Sequence, residues 1–278
     1  MKYVLAVSGG VDSVVLLDLM SKTHHTLVVA HVDHGIREES AADARFVQEL
    51  AKKYQLPYVG TRFELGPSAS EEKARDARYE FLHEQAKTFG ATLMTAHHRG
   101  DVIETIALNL SRGTGWRGLA AMAGGRVARP LLQMSKEQLI AYALKHRIEW
   151  VEDVTNMADT YTRNRLRKKI NQMVDNGTKE RLLHLRAEQL SLRMSIEREI
   201  TRFVPRVNSR HFLNQIDDSV AEELIGAYIA TESSVSPTRP QRARALLAVK
   251  TAKPGAIHHV TNGVELHFTS RNLYIKVV

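Results

Sequence analysis

Short apolar runs rich in β-branched residues alternate with helical patterns along the first half of the chain. The strand-like runs cover 3–7, 26–32, 58–63 and 91–96, and the helix-like segments after them cover 13–22, 39–54, 71–89 and 101–110. Alternation at this spacing is typical of βαβ units. It predicts an α/β fold with an open, mostly parallel sheet that helices cover on both faces.

The second half of the chain has a different pattern. An edge strand is expected around Pro130, and a helix over 135–146 has Ser135 as its expected N-cap. Apolar spacings of three and four then predict one long helix, followed by a basic helical segment and two alternating, strand-like runs. The expected division is a catalytic domain over 1–177, a linker helix over 178–204, and a small α+β C-terminal domain over 205–278.

Composition narrows the classes of function. The 278 residues carry a net charge of +8, which favours an anionic partner such as nucleic acid. No cysteine is present, which excludes disulfides, thiolate metal sites, iron–sulfur clusters and cysteine nucleophiles. The first strand begins close to the initiator methionine, and no apolar run approaches the roughly 20 residues of a membrane span. We therefore expect a soluble cytoplasmic protein that does not associate with membranes.

A glycine-rich hexapeptide follows the first predicted strand, and it consists of Ser8, Gly9, Gly10, Val11, Asp12 and Ser13. Unhindered backbone N–H groups, two hydroxyls and the positive end of the next helix would meet there around an anion. Asp12 alone would repel a phosphate, which indicates a Mg²⁺ ion between them. No lysine precedes the final serine, so this is not a Walker loop. The alternative is a plain strand-to-helix turn.

Ligands of open parallel sheets bind outside the carboxyl ends of the strands, so polar residues at those ends are further candidates. His31, Asp33 and Arg37 lie at the end of the second strand or just after it, where Asp33 suits a metal or a polar ligand and Arg37 suits an anion. The alternative is a solvated loop.

Histidines and carboxylates also follow the fourth strand. His97 and His98 leave that strand, and Asp101 and Glu104 are three residues apart, so they share one face of the next helix. The alternative is that the histidines form a polar cap and Asp101 is a favourable acid in a first helical turn.

Three basic stretches are candidates for contacts with nucleic acid. Arg112 and Gly113 belong to a glycine-rich connection, which is either a contact to an exposed base or a surface loop. Arg75 and Arg78 share a helix face that is either an RNA contact or a salt-bridged surface. The densest ridge is either an RNA contact or a solvated face, and it comprises Arg163, Asn164, Arg165, Arg167, Lys168 and Lys169.

The hexapeptide resembles the signature Ser-Gly-Gly-x-Asp-Ser of the N-type ATP pyrophosphatase, or PP-loop, superfamily. Together with the other motifs in this order, it resembles the tRNA(Ile)-lysidine synthase family, closely over 1–170 and more loosely over 239–278. The chain is expected to lack the further C-terminal domain of many bacterial members. It departs from the family motif Ala-His-His-x-Asp-Asp-Gln-x-Glu-Thr at Gly100, which replaces the first Asp, and at Val102, which replaces Gln.

The resemblance implies a ligase that joins L-lysine to the wobble cytidine of the CAU anticodon of tRNA(Ile) through an adenylated cytidine. The reaction releases AMP and pyrophosphate and changes codon specificity from AUG to AUA. The implied ATP and Mg²⁺ contacts are Ser8, Gly9, Gly10, Val11, Asp12, Ser13 and His31, with Asp12 as the metal ligand. The implied catalytic residues are Asp33, His97, Asp101 and Glu104. The implied tRNA contacts are Arg37, Arg75, Arg78, Arg112, Gly113, Arg163, Asn164 and Arg167.

Three alternatives stay open at the level of sequence. PP-loop tRNA thiolases adenylate a similar base, although those that use protein cysteines or an iron–sulfur cluster are excluded by the absence of cysteine. Small-molecule ligases such as NAD and GMP synthetases share the loop but do not predict the basic ridge. A tRNA-binding protein without catalysis would bind tRNA and leave ATP intact. The oligomeric state is open, with a homodimer as one candidate.

Overall fold

The computed structural model describes residues 1–33, 35, 40–64, 71–113, 116–125, 127–151, 170, 174–261 and 263–278. The chain divides into two compact units, Met1–Gln189 and Leu190–Val278. Every helix within the described ranges is too short or too polar to span a bilayer.

The first unit is built on a five-stranded, fully parallel sheet in the order β3-β2-β1-β4-β5. Its strands are β1 (Lys2–Ala6), β2 (Thr26–Asp33), β3 (Tyr58–Arg62), β4 (Thr92–Met94) and β5 (Val127–Ala128). The predicted parallel sheet is confirmed. The edge strand expected around Pro130 is only two residues long and ends before the proline, which has no N–H group to donate to a neighbouring strand.

Helices cover both faces of this sheet, as the alternation predicts. They are α1 (Val11–Ser21), α2 (Ser40–Lys53), α3 (Glu71–Thr88), α4 (Arg99–Ser111), α5 (Trp116–Leu119) and α6 (Lys136–Lys145). Leu5 and Val29 pack on one face into a core with apolar residues of α1, α2 and α6. Val4 and Val28 point to the other face and pack against α3. Since strands buried on both faces need apolar residues at every position, the predicted strands read as continuous apolar runs.

A buried carboxylate on α1 ties three of these helices together. Asp18 accepts hydrogen bonds from Lys22 Nζ at 2.7 Å, from the Tyr142 hydroxyl of α6 at 2.8 Å and from the Tyr54 hydroxyl after α2 at 2.9 Å. Burial raises the pKa of Asp18, but these donors outweigh burial and leave its pKa below the usual value. The arrangement fixes α6 beside α1, which matters for the site described below.

The second unit combines helices with a small antiparallel sheet. Its helices are the end of α7 (Asn176–Phe203), α8 (Arg210–Gln215), α9 (Asp218–Ser233) and α10 (Arg239–Thr251), and its sheet has the order β6 (Ile257–Thr261), β7 (Val264–Phe268) and β8 (Leu273–Val277). Leu213, Ile225 and Leu266 are buried in its core. The tail contains three strands where the sequence indicated two alternating runs. The boundary between the two compact units falls within the sequence of α7, and the division at 177 and 204 into domains with separate roles stays a prediction.

Candidate active site

The hexapeptide forms a tight loop between β1 and α1. The Ser8 N–H donates to Ser13 Oγ at 3.2 Å, and Ser13 Oγ donates to the Gly10 carbonyl at 2.8 Å. Gly9 has φ of +93°, which a residue with a side chain rarely adopts, and its carbonyl accepts from the Val151 N–H at 3.0 Å. These bonds hold the loop in one curled shape.

The loop leads directly into the positive end of α1. Gly10 is the N-cap, and it has no side chain to provide a capping hydrogen bond. The first N–H groups of a helix have no partner within the helix, so an uncapped N-terminus suits an anionic ligand. Ser8 and Ser13 contribute two hydroxyl groups 3.3 Å apart. This arrangement could hold the phosphates of a nucleotide.

Asp12, in the first turn of α1, forms an ion pair with a residue 124 positions away. Lys136 Nζ lies 2.8 Å from Asp12 Oδ1 and 2.9 Å from Asp12 Oδ2. Lys136 is the first residue of α6, and the Ser135 N-cap and Gln138 form a reciprocal capping box at this helix start. The predicted N-cap is therefore confirmed, while Lys136 is a member of the site that the sequence did not reveal.

Two side chains at the end of β2 are buried and fixed. His31 Nδ1 lies 2.8 Å from the Val7 carbonyl, which can only accept, so Nδ1 carries the proton and Nε2 is left as an acceptor. Asp33 accepts from Arg62 Nη1 at 3.3 Å and from the Gly35 N–H at 2.9 Å. The Arg62 contact comes from the neighbouring strand β3, so the sheet itself orients the Asp33 carboxylate.

His98 caps the start of α4. The ring atom Nδ1 accepts a hydrogen bond from the Gly100 N–H at 2.9 Å, and the backbone N–H of His98 donates to Asp101 Oδ2 at 2.8 Å. Because Nδ1 is an acceptor, the ring carries its proton on Nε2, which lies 3.9 Å from Asp12 Oδ2 and 3.7 Å from Asp101 Oδ2. His98 therefore links the loop after β1 to the helix after β4.

His97 has a strongly lowered pKa. The pKa of this imidazole is lowered to about 4, chiefly by burial; the Asp101 carboxylate raises it, and nearby arginine side chains add to the lowering. Those arginines are Arg129, Arg75 and Arg78. Thr95 Oγ1 lies 2.7 Å from His97 Nδ1 and fixes the ring. His97 is therefore uncharged at neutral pH.

The family model of the PP-loop domain matches residues 1–174. The chain belongs to the PP-loop domain family. Two curated relatives named tRNA(Ile)-lysidine synthase are each 43% identical to this chain. The relative from Rhodopseudomonas palustris matches over 65% of this chain and 56% of its own length. The relative from Enterococcus faecalis matches over 60% of this chain and 39% of its own length. The chain thus spans about half the length of these curated relatives.

The solved U34-tRNA thiolase NcsA from Methanococcus maripaludis has a similar fold. The TM-score is 0.57 at 15% identity, over 69% of this chain and 73% of that one. At this identity the similarity supports the fold alone. The PP-loop identity and the α/β architecture predicted from the sequence are confirmed.

The PP-loop side chains fit a nucleotide with a divalent cation. The Asp12 carboxylate is 28% exposed, so it remains reachable from solvent despite its ion pair. Within the described ranges, no three His, Asp or Glu side chains converge as a complete metal site. A Mg²⁺ ion bound through Asp12 could take water and phosphate oxygens as further ligands, which is how this ion is commonly held.

The structure brings some predicted site residues together and leaves others apart. His98 Nε2 lies 3.9 Å from Asp12 Oδ2 and 3.7 Å from Asp101 Oδ2, and the charges of Arg75 and Arg78 lower the pKa of His97. Glu104 lies on α4 one turn after Asp101. Arg112 and Gly113 lie exposed at the end of α4. Four predicted tRNA contacts lie outside the described residues, and these are Arg37, Arg163, Asn164 and Arg167.

Arg129 is a further PP-loop domain residue without a predicted role. Its Nη1 donates to the carbonyls of Val127 at 3.3 Å and Gly124 at 3.4 Å. Its Nε atom is buried and has no hydrogen-bond partner among the described residues. The pair Arg129-Pro130 at the end of β5 was the available signal, because a cation at a strand end lies at the ligand-binding edge of the sheet.

Proposed function

We propose that this protein is a tRNA(Ile)-lysidine synthase that works in the cytoplasm. It joins the side-chain amine of L-lysine to the wobble cytidine in the CAU anticodon of tRNA(Ile), at the expense of ATP. The observation that carries the proposal is the linkage of Asp12 in the PP-loop through His98 to Asp101, beside the uncharged His97. The names of the relatives that match 65% and 60% of the chain support the same assignment.

In the first step, the 2-oxo group of the cytidine attacks the α-phosphate of ATP. The P–O bond to the departing pyrophosphate breaks, and the cytidine carries AMP on its oxygen. Ser8, Ser13 and the N-terminus of α1 stabilise the charge on the pyrophosphate, because preorganised donors act where negative charge develops. Mg²⁺, when bound at Asp12, supplies further charge neutralisation. His31 offers Nε2 as an acceptor to a donor group of the nucleotide.

In the second step, the amine of lysine attacks the activated ring carbon. A C–N bond forms, the C–O bond to AMP breaks, and the amine loses a proton. The lysine side chain enters as an ammonium group without a lone pair, so the site must bind it and remove one proton before the attack; the proton named above leaves as the C–N bond forms. Asp101 and Glu104 bind the ammonium group and assist its deprotonation, and the uncharged His97 lies beside them. The Asp33 carboxylate, oriented by Arg62, contributes fixed negative charge.

Basic side chains supply the contacts to tRNA. Arg75 and Arg78 on α3 stack against Tyr79, with guanidinium-to-ring distances of 4.9 and 5.8 Å. Such planar cations suit phosphates and unstacked bases of an anticodon loop. Arg112, Gly113 and the basic segment 163–169 are further tRNA contacts in the proposal. The net charge of +8 matches a polyanionic substrate. A homodimer is a candidate for the working oligomer.

Release of pyrophosphate from ATP, measured with and without tRNA transcripts, tests the adenylation step. The proposal expects release that depends on Mg²⁺ and on a transcript with the CAU anticodon of tRNA(Ile). A transcript in which the wobble cytidine is replaced by uridine serves as the matched control and is expected to give no release. Release that occurs equally without tRNA would contradict the proposal and favour a small-molecule acceptor.

A further inference from the structure

The ion pair between Lys136 and Asp12 occupies the carboxylate that the proposed function gives to Mg²⁺. Lys136 Nζ lies within 2.9 Å of both carboxylate oxygens. Both side chains are accessible, with 42% of Lys136 and 28% of Asp12 exposed, so the pair can open. A divalent cation on Asp12 and an ammonium group on the same two oxygens repel each other. When the cation binds, Lys136 must therefore move.

The backbone of Lys136 is held at a helix start, and its long side chain reaches from there to Asp12. The capping box of Ser135 and Gln138 fixes the first turn of α6. Six residues further along each helix, Tyr142 of α6 donates to Asp18 of α1 at 2.8 Å. Two polar links at equal spacing show that α1 and α6 run side by side in the same direction. Their positive N-terminal ends consequently lie together at the PP-loop.

We propose that Lys136 is a nucleotide-binding residue that alternates between two anionic partners. Without a nucleotide it neutralises Asp12, and with Mg²⁺ on Asp12 it pairs with the phosphates that leave as pyrophosphate. This inference rests on the proposed function for its ligand, ATP. Lysine suits the role because its ammonium group is a point charge on a flexible four-carbon stem, and it is a common phosphate-binding side chain.

Isothermal titration calorimetry with inorganic pyrophosphate, on the full chain and in the presence of Mg²⁺, tests this inference. K136A is expected to weaken pyrophosphate binding about tenfold, which is the loss expected for one charge-assisted contact. K145A is the matched control, because it removes one exposed positive charge from the last turn of the same helix. It is expected to bind pyrophosphate nearly as the wild type does, and K136R is expected to retain most of the affinity.

A second comparison separates a phosphate contact from simple neutralisation of Asp12. In a D12N background, Lys136 has no carboxylate to neutralise, so a further K136A substitution should still weaken pyrophosphate binding about tenfold. Titration with Mg²⁺ alone should show tighter binding to K136A than to wild type, because Lys136 no longer competes for Asp12. Thermal unfolding of each variant, with the Tyr142–Asp18 link intact, verifies that α6 stays in place.

Unchanged pyrophosphate affinity in K136A, or no effect of K136A in the D12N background, would overturn the inference and leave Lys136 as a structural partner of Asp12. These readouts use pyrophosphate and Mg²⁺ and need neither tRNA nor lysine. If they agree with the inference while lysine transfer fails, the proposed acceptor is wrong and the assignment of Lys136 stands. If lysine transfer succeeds while they fail, only the assignment of Lys136 is wrong.

Discussion

The imidazole ring of His98 occupies the space that a side chain on Gly100 would need. A Cβ atom built on Gly100 would lie 2.7 Å from His98 Cε1 and 3.1 Å from Nδ1, both closer than van der Waals contact allows. The absence of a side chain at Gly100 lets the ring accept the Gly100 N–H and direct Nε2 toward Asp12 and Asp101. The glycine at this position, which departs from the family motif, thus leaves room for the His98 ring.

Gly100→Ala is expected to displace the His98 ring and to remove its helix cap. The expected cost is about 1 kcal/mol of the free energy of unfolding, typical of a lost N-cap, and urea denaturation measures it. Gly100→Asp should have the same effect and should lower the rate of pyrophosphate release, because the link between Asp12 and Asp101 is broken. In a His98→Ala background, Gly100→Ala should be neutral or stabilising, since alanine favours helices. An equal cost in both backgrounds would contradict this account of Gly100.

The lowered pKa of His97 predicts a specific loss of stability in acid. The folded pKa is about 4 and the ordinary value is 6.5, so the unfolded chain binds more protons between these pH values. The contribution of His97 to the free energy of unfolding is therefore complete above pH 6.5 and falls as the pH decreases toward 4, by up to about 3 kcal/mol. Urea denaturation across this range measures the effect.

His97→Gln should flatten this pH dependence, while His24→Gln, at an exposed histidine, should leave it as steep as in the wild type. An NMR titration in which the His97 ring protonates near pH 6.5 would contradict the prediction directly.

Arg62 is expected to stabilise the fold through its ion pair with the buried carboxylate of Asp33. The Asp33 side chain is only 4% exposed and faces the Arg62 guanidinium at 3.3 Å. Arg62→Gln removes this charge and leaves the carboxylate with fewer donors, which should destabilise the fold by about 1–3 kcal/mol. Glu64→Gln is the control, because it changes the other partner of Arg62, which is exposed. A larger cost for Glu64→Gln than for Arg62→Gln would refute this reading.

Asp12→Ala separates nucleotide chemistry from RNA binding. The substitution removes the proposed Mg²⁺ ligand but leaves the proposed RNA-binding arginines in place. Pyrophosphate release should fall by at least about a hundredfold, the scale seen when one group that stabilises transition-state charge is lost. Binding of tRNA, measured by filter retention, should change little. An active Asp12→Ala variant would rule out the proposed role of the loop.

Much of the fold could be predicted because its signals are local. Continuous apolar runs that alternate with helical patterns located the strands β1 to β4. Ser135 was recognisable as an N-cap because its capping partner lies only three residues away. The glycine-rich loop was visible because small and polar residues directly follow a strand-like run, and the positive φ of Gly9 fits that reading. In the tail, strand pairing created three short strands from a pattern with two alternating runs.

The remaining parts of the site depend on packing. Lys136 meets Asp12 only because α6 packs beside α1, and their separation of 124 positions in the sequence leaves no periodic signal. The fit of the His98 ring over Gly100 depends on one side-chain rotamer, which no spacing rule encodes. The lowered pKa of His97 arises from burial and from arginines on α3 and after β5, which come together only in the fold.

Incorporation of labelled lysine into an unmodified tRNA(Ile) transcript with the CAU anticodon tests the central claim most directly. The reaction contains the full chain, ATP and Mg²⁺, and a tRNA(Met) transcript with the same anticodon is the control. The account predicts lysine incorporation that requires ATP and is confined to tRNA(Ile). Release of pyrophosphate without lysine incorporation would contradict the proposed acceptor, and intact ATP with bound tRNA would contradict catalysis altogether.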